Sequence, residues 1–167
     1  DSDENCRKFI EILNYNLIKY QCYCYGFVLM SNHYHLILRP SGDNFSDMMR
    51  NINTTFARYI NKKKSRKGHV FENRFKSVPT RDRNYLKNLV LYLHINPLRA
   101  GAISSVNKLN QYKWSSHNIL VRKSSNTYSW LNLGYMNSLF SSEKSNRVDI
   151  NSYYKALYSY LNEDIED

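Results

Sequence analysis

The chain has 167 residues and a formal net charge of +10, which bounds it to one domain with at most a small appendage. No apolar run is long enough to cross a bilayer and no secretory signal pattern opens the chain, which argues against a membrane protein. Three cysteines, Cys6, Cys22 and Cys24, are too few and too odd for a disulfide framework, so a reducing, cytoplasmic setting is expected.

Taken in chain order, the first predicted element is a helix over residues 5–19. Phe9, Ile12, Leu13 and Leu17 follow helical spacing, and Asp1, Asp3 and Glu4 suit the positive end of its dipole. Residues 20–30 read as a strand rich in Tyr, Cys, Val and Phe. Ser31-Asn32 makes a turn candidate without the usual glycine, and residues 33–38 return as a second strand stopped by Arg39-Pro40-Ser41-Gly42. Asn44 is a candidate cap for a helix with Met48, Ile52, Phe56 and Ile60 as its apolar stripe. A basic loop, Lys62-Lys63-Lys64-Ser65-Arg66-Lys67-Gly68, precedes a third predicted strand over residues 69–80. Asp82 is placed to cap a helix over residues 83–95, and Asn96-Pro97 is expected to end it, because a residue before proline resists the α region. Beyond Gly101, Trp114, Trp130-Leu131, Leu139-Phe140 and the apolar residues of 153–161 predict short helices folding back on the main body.

The informative residues are His33 and His35. They flank Tyr34 on a predicted strand, where alternate side chains share a face, so both imidazoles can bind one ion. Tyr92 and Asn96 are four apart on a predicted helix and also share a face. A tyrosine hydroxyl beside an ion held by two histidines and an amide oxygen has the makings of a phosphoryl-transfer nucleophile. Mg²⁺ or Mn²⁺ suits such a mixed, partly open ligand set. Other readings stay open on the residues alone. The histidines fit a half-exposed structural strand, Tyr92 is one of fifteen tyrosines, Asn96 could be a helix cap, and Cys22 and Cys24 could join His33 and His35 around zinc. His94, toward another face, reads as structural.

Charge is unevenly placed. Residues 50–83 hold eleven Lys or Arg against two acids, Glu72 and Asp82, whereas residues 143–167 are net acidic. A basic central segment flanked by tyrosines fits a nucleic-acid surface, with Arg58, Lys62, Lys63, Lys64, Arg74 and Lys76 as its candidate phosphate contacts.

Residues 27–37, Phe-Val-Leu-Met-Ser-Asn-His-Tyr-His-Leu-Ile, resemble the HUH segment of single-tyrosine, IS200-like transposases. Residues 68–77 (Gly-His-Val-Phe-Glu-Asn-Arg-Phe-Lys-Ser) and 92–101 (Tyr-Leu-His-Ile-Asn-Pro-Leu-Arg-Ala-Gly) resemble two further blocks, and Trp114-Ser115-Ser116 fits a downstream one. In this order they resemble the branch of REP-associated tyrosine transposases, over about residues 1–120. The resemblance implies an α+β fold: a ferredoxin-like βαββαβ sheet with its first strand absent here, a catalytic domain over 1–120 and a small helical extension over 121–167. It implies metal-dependent strand transfer on single-stranded DNA hairpins through a 5′-phosphotyrosine, with His33 and His35 as the metal pair, Asn96 as third ligand and Tyr92 as nucleophile. The setting implied is cytoplasmic and nucleoid-associated, with homodimerisation open. Family members carry a first strand, central in the sheet and beside the strand expected to carry the histidines. Its absence is expected to leave unpaired backbone groups in mid-sheet, as in a truncated product or partial sequence. A non-catalytic nucleic-acid-binding relative is the alternative.

Overall fold

A computed structural model of the chain describes residues 2–80, 82–122, 128–141 and 149–163. Seven helices and one two-stranded antiparallel sheet are found among them, an α+β composition. No described helix is long and apolar enough to cross a membrane. The chain divides into two compact units, one of Asp1–Tyr23 and Leu38–Pro79, the other of Cys24–Ile37 and Thr80–Asp167.

The first unit is a helix pair with an attached loop. Helix α1 (Ser2–Lys19) carries Asp3 and Glu4 in its first turn and buries Phe9, Leu13 and Leu17, as its spacing predicts; the Asp1 expectation lies outside the described residues. Gln21 takes a positive φ of 50°, and the Cys22 amide bonds the Leu17 carbonyl at 2.9 Å. That turn ends the helix and delays the following strand to Tyr23. Helix α2 (Phe45–Lys63) packs on α1 through an edge-to-face contact of Phe9 and Phe56 at 5.2 Å. Asn44 precedes α2 but makes no side-chain cap, contrary to expectation; its φ of −89° and ψ of 21° are not the extended values from which a cap side chain reaches back.

Residues 69–80 form no strand, which corrects the third predicted strand. Their aromatics dock instead on α2, Phe71 against Phe56 at 6.2 Å and Phe75 against Phe45 at 5.7 Å. The loop before them is pinned by Asn61 Nδ2 on the Gly68 carbonyl at 2.8 Å and by Arg66 on the His69 carbonyl at 3.0 Å. Side-chain docking has replaced a backbone ladder.

The second unit is built around helix α3 (Arg83–Arg99). Asp82 caps it as expected, its carboxylate accepting the Tyr85 amide at 2.8 Å. The helix does not stop at Asn96: Pro97 lies inside it. Proline forfeits one intrahelical bond, but the end is well closed. Ala102 N bonds Pro97 O at 2.9 Å and Gly101 N bonds Leu98 O at 3.0 Å, with Gly101 at a φ of +67°. Asn96 therefore stays helical, one turn beyond Tyr92. Val90, Leu91 and Ile95 of α3 share a core with Leu109, Leu120, Met136, Tyr153 and Leu157. These come from the later helices α4 (Val106–Leu109), α5 (Ser116–Arg122), α6 (Leu133–Ser138) and α7 (Ile150–Glu163).

The hairpin joins strand β1 (Tyr23–Leu29) to β2 (Tyr34–Arg39), closed by Met30 N on the His33 carbonyl at 2.8 Å. Neither Ser31 nor Asn32 has a positive φ, so the turn is not one of the mirror-image types that favour glycine. Strand β1 is buried from Cys24 to Leu29. Its backbone also finds partners outside the hairpin. Leu29 N bonds Trp114 O at 2.9 Å, Phe27 N bonds Ser116 Oγ at 3.1 Å, and Cys24 O accepts Asn132 N at 2.8 Å. The segments around Trp114-Ser115-Ser116 and Leu131-Asn132 run beside β1 through two isolated bridges, Val28 to Ser115 and Cys24 to Leu131.

Candidate functional site

The HxH segment and helix α3 meet within the second unit. The His33 and His35 rings lie 5.1 Å apart, edge to face. His33 Nε2 is 3.3 Å from Asn96 Oδ1, and the His35 ring is 5.8 Å from the ring of Tyr92. Two local periods explain this convergence: His33 stands just before β2, paired with Met30, so the alternation that runs on into the strand brings its ring to that of His35, and the helical step of four aligns Tyr92 with Asn96. The backdrop is apolar, with Val28, Met30 and Leu93 buried together and Ile37 against them. Gly26 lies in β1 where an added Cβ would stand 3.5 Å from Ile37 and Ser116, an ordinary contact.

His33 is exposed and His35 half-buried, while Asn96 is buried and Tyr92 half-buried. Burial, aided by the positive charge His33 would carry, lowers the pKa of His35, which favours the neutral ring and its lone pair. The Arg99 guanidinium stands over the Tyr92 ring at 5.2 Å and over the Tyr160 ring of α7 at 5.6 Å. A fixed cation thus lies beside the tyrosine.

Two of the candidate donors stand at the spacing that a divalent ion needs. Ligands about 2.1 Å from an octahedral ion stand about 3 Å apart when adjacent, and His33 Nε2 and Asn96 Oδ1 are 3.3 Å apart. Neutral imidazole and an amide oxygen are the ligand types that Mn²⁺ and Mg²⁺ accept. The zinc reading fails: among the described residues no three His, Cys, Asp or Glu side chains gather to hold a metal. Burial also pushes the Cys22 thiol up to about 11, away from the thiolate that zinc needs.

The candidate DNA contacts lie in the first unit. Arg58, Lys62, Lys63, Lys64, Arg74 and Lys76 are all exposed. Lys63 shares its charge with Glu4 at 2.7 Å, and Tyr59 also bonds that carboxylate, at 3.0 Å. Because residues 74–76 are not a strand, the strand alternation expected to put Arg74 and Lys76 on one face does not apply.

A buried polar chain behind the site escaped the sequence reading. His94, His117 and Ser116 are fully buried, as is Tyr153. Burial holds His94 well below the ordinary histidine range and His117 at about 3, so both rings are neutral. Each neutral ring has one donor and one acceptor, and the partners fix which is which. Asn110 Oδ1 accepts from Tyr154 Oη at 2.9 Å and from His117 Nε2 at 2.8 Å. His117 Nδ1 then accepts from the Tyr153 hydroxyl at 2.5 Å, whose oxygen accepts from His94 Nδ1 at 2.9 Å. His94 Nε2 is left as the acceptor for Ser116 Oγ at 2.8 Å; that hydroxyl also lies 3.2 Å from the Phe27 carbonyl and accepts from Phe27 N at 3.1 Å. The chain ties β1, α3, α5 and α7 together. Of its members the sequence points to His94 as a structural residue and to Ser116 within the Trp114-Ser115-Ser116 block, but not to their contact.

A family model described as transposase IS200-like matches residues 2–96. That span contains His33, His35, Tyr92 and Asn96. No curated protein and no solved structure matches the chain. With more than half of its length matched, the chain belongs to the IS200-like transposase family.

Proposed function

We propose that this protein is a single-strand DNA transposase or nuclease of the REP-associated branch, with Tyr92 as nucleophile. The Tyr92 oxygen forms a bond to phosphorus while the bond to the 3′ oxygen breaks. The phenolic proton is lost and the leaving 3′ oxygen gains one. The product is a 5′-phosphotyrosine and a free 3′-hydroxyl; one ester replaces another, so the step is reversible. His33, His35 and Asn96 would hold a divalent cation, Mg²⁺ or Mn²⁺. When bound, such an ion supplies a Lewis acid for a non-bridging phosphate oxygen. Arg99 sets a positive charge beside the Tyr92 ring, where an incoming phosphate brings its negative charge. The exposed Arg58, Lys62, Lys64, Arg74 and Lys76, with Lys63, would hold the DNA backbone without reading sequence. The working place is the nucleoid in the cytoplasm, on DNA hairpins.

The convergence of His33, His35, Asn96 and Tyr92 in one unit is the observation that carries this reading. Its test is a covalent adduct. Incubation with single-stranded hairpin DNA and Mn²⁺ should give a protein–DNA species that survives SDS. Tyr92→Phe removes only a hydroxyl from a half-buried ring, so the fold should persist and the adduct should vanish. An adduct of undiminished yield in Tyr92→Phe refutes the assignment.

A further inference from the structure

We propose that Asn32 is a positioning residue that fixes the tautomer of His33 and so aims a bare ring nitrogen at the metal position. The inference rests on the metal reading above and goes one shell beyond it. Asn32 sits in the hairpin turn, and its Oδ1 lies 2.7 Å from Nδ1 of the adjacent His33 ring. An amide oxygen can only accept, so this contact favours the tautomer with the proton on Nδ1. A neutral imidazole has one N–H, and Nε2 is therefore left with a lone pair. That lone pair points toward Asn96 Oδ1, 3.3 Å away and itself an acceptor. A neutral ring has one proton for two amide oxygens, and the shorter contact, 2.7 Å to Asn32 against 3.3 Å to Asn96, takes it, which leaves the Asn96 side open to a cation. In water, imidazole favours the opposite tautomer, with the proton on Nε2, which would block the ligand position. The turn residue reverses that preference before any ion arrives. Outer partners of this kind hold metal-binding histidines in one orientation, and their loss weakens affinity about tenfold or more.

Asn32 and His33 are both exposed, so substitutions there should leave the core intact. Two readouts on the full chain separate the proposal from the reading beneath it. In metal-free protein, at a pH where the ring is neutral, ¹⁵N NMR should show His33 protonated on Nδ1 and bare on Nε2. Asn32→Ala should shift the ring toward the Nε2-protonated form, and Asn32→Asp, which also only accepts, should restore the native tautomer. Calorimetric titration with Mn²⁺ alone should show binding that His33→Ala abolishes and Asn32→Ala weakens about tenfold. An unchanged tautomer together with Mn²⁺ affinity within twofold of wild type in Asn32→Ala overturns the role of Asn32 alone. Absence of Mn²⁺ binding by wild type, or binding that survives His33→Ala, overturns the metal reading and this proposal with it.

Discussion

Acid should unfold the second unit through its buried histidines, and His117 gives the measurable share. Its ordinary pKa of 6.5 falls to about 3 in the fold because burial disfavours the charged ring. The folded pKa is depressed, so the unfolded chain takes up a proton that the folded one refuses once pH drops below about 6.5. Stability is therefore intact above that pH and is lost as pH falls toward 3. Between about pH 7.5 and about pH 5, one such histidine costs about 2 kcal/mol, against a total of roughly 5–15 kcal/mol for a domain. His94, also shifted well down by burial, acts with the same sign, as does the more modestly shifted His35. Urea unfolding followed by tryptophan fluorescence at several pH values should show this loss above the range where carboxylates titrate. His117→Gln removes one titrating group. It should lower stability at neutral pH, where Tyr153 and Asn110 lose their partner, yet reduce the pH-dependent loss by about 2 kcal/mol over the same window. The change with pH, not the starting level, is the readout. If the variant is too unstable to measure, the ring proton of His117 in wild type should show no titration above about pH 4. A pH dependence identical in wild type and His117→Gln, or a His117 ring that titrates near 6.5, would refute the reasoning.

Two further outcomes follow from the helix end and the basic surface. Gly101→Ala places a Cβ on a backbone at a φ of +67°. It should cost about 1 kcal/mol, read as a lowered urea midpoint without a change of slope, because open space around the Cβ leaves conformational strain as the sole penalty. Replacing Lys62, Lys64, Arg74 and Lys76 with neutral residues should weaken binding to unrelated single strands alike. The log–log salt slope should fall by about 0.7 for each phosphate contact removed, and an unchanged slope would show that these side chains do not touch DNA.

The candidate site was legible because each half obeys one local period. The His33–His35 pair needs only strand alternation, and the Tyr92–Asn96 pair only a helical step of four. The structure adds the Pro97 detail, since a rule about the residue before proline ended the helix too early. The Gly101 closure, which lets the helix run to Arg99, depends on amides and carbonyls rather than on side-chain pattern. Residues 69–80 misled for a related reason. Their aromatics alternate well enough for a strand, but Phe71 and Phe75 find ring partners on α2, and those partners lie far off in sequence. Asn32 was legible as a turn residue and illegible as a partner of His33, because a hydrogen bond to the next residue leaves no periodic trace.

The weak signals after Gly101 turn out to be what holds the site. A buried backbone group without a partner costs about 1–3 kcal/mol, and β1 is buried along Cys24 to Leu29. Trp114, Ser116 and Asn132 answer that requirement at Leu29, Phe27 and Cys24. Ser116 does two jobs at once, since the hydroxyl that takes the Phe27 amide also meets His94 of the tyrosine-bearing helix. Beyond His94 the chain of bonds reaches Tyr153 of α7, and Tyr160 of the same helix flanks Arg99 beside Tyr92. Strand β1 carries the hairpin, the hairpin carries His33 and His35, and α3 carries Tyr92 and Asn96. Polar contacts of Trp114, Ser116, Asn132 and Tyr153 thus brace the two elements that carry the site. No periodic pattern reveals such contacts, because most members are satisfied by partners more than twenty residues away. The short C-terminal helices are therefore part of the mechanism that keeps His33 Nε2 and Asn96 Oδ1 within 3.3 Å of each other.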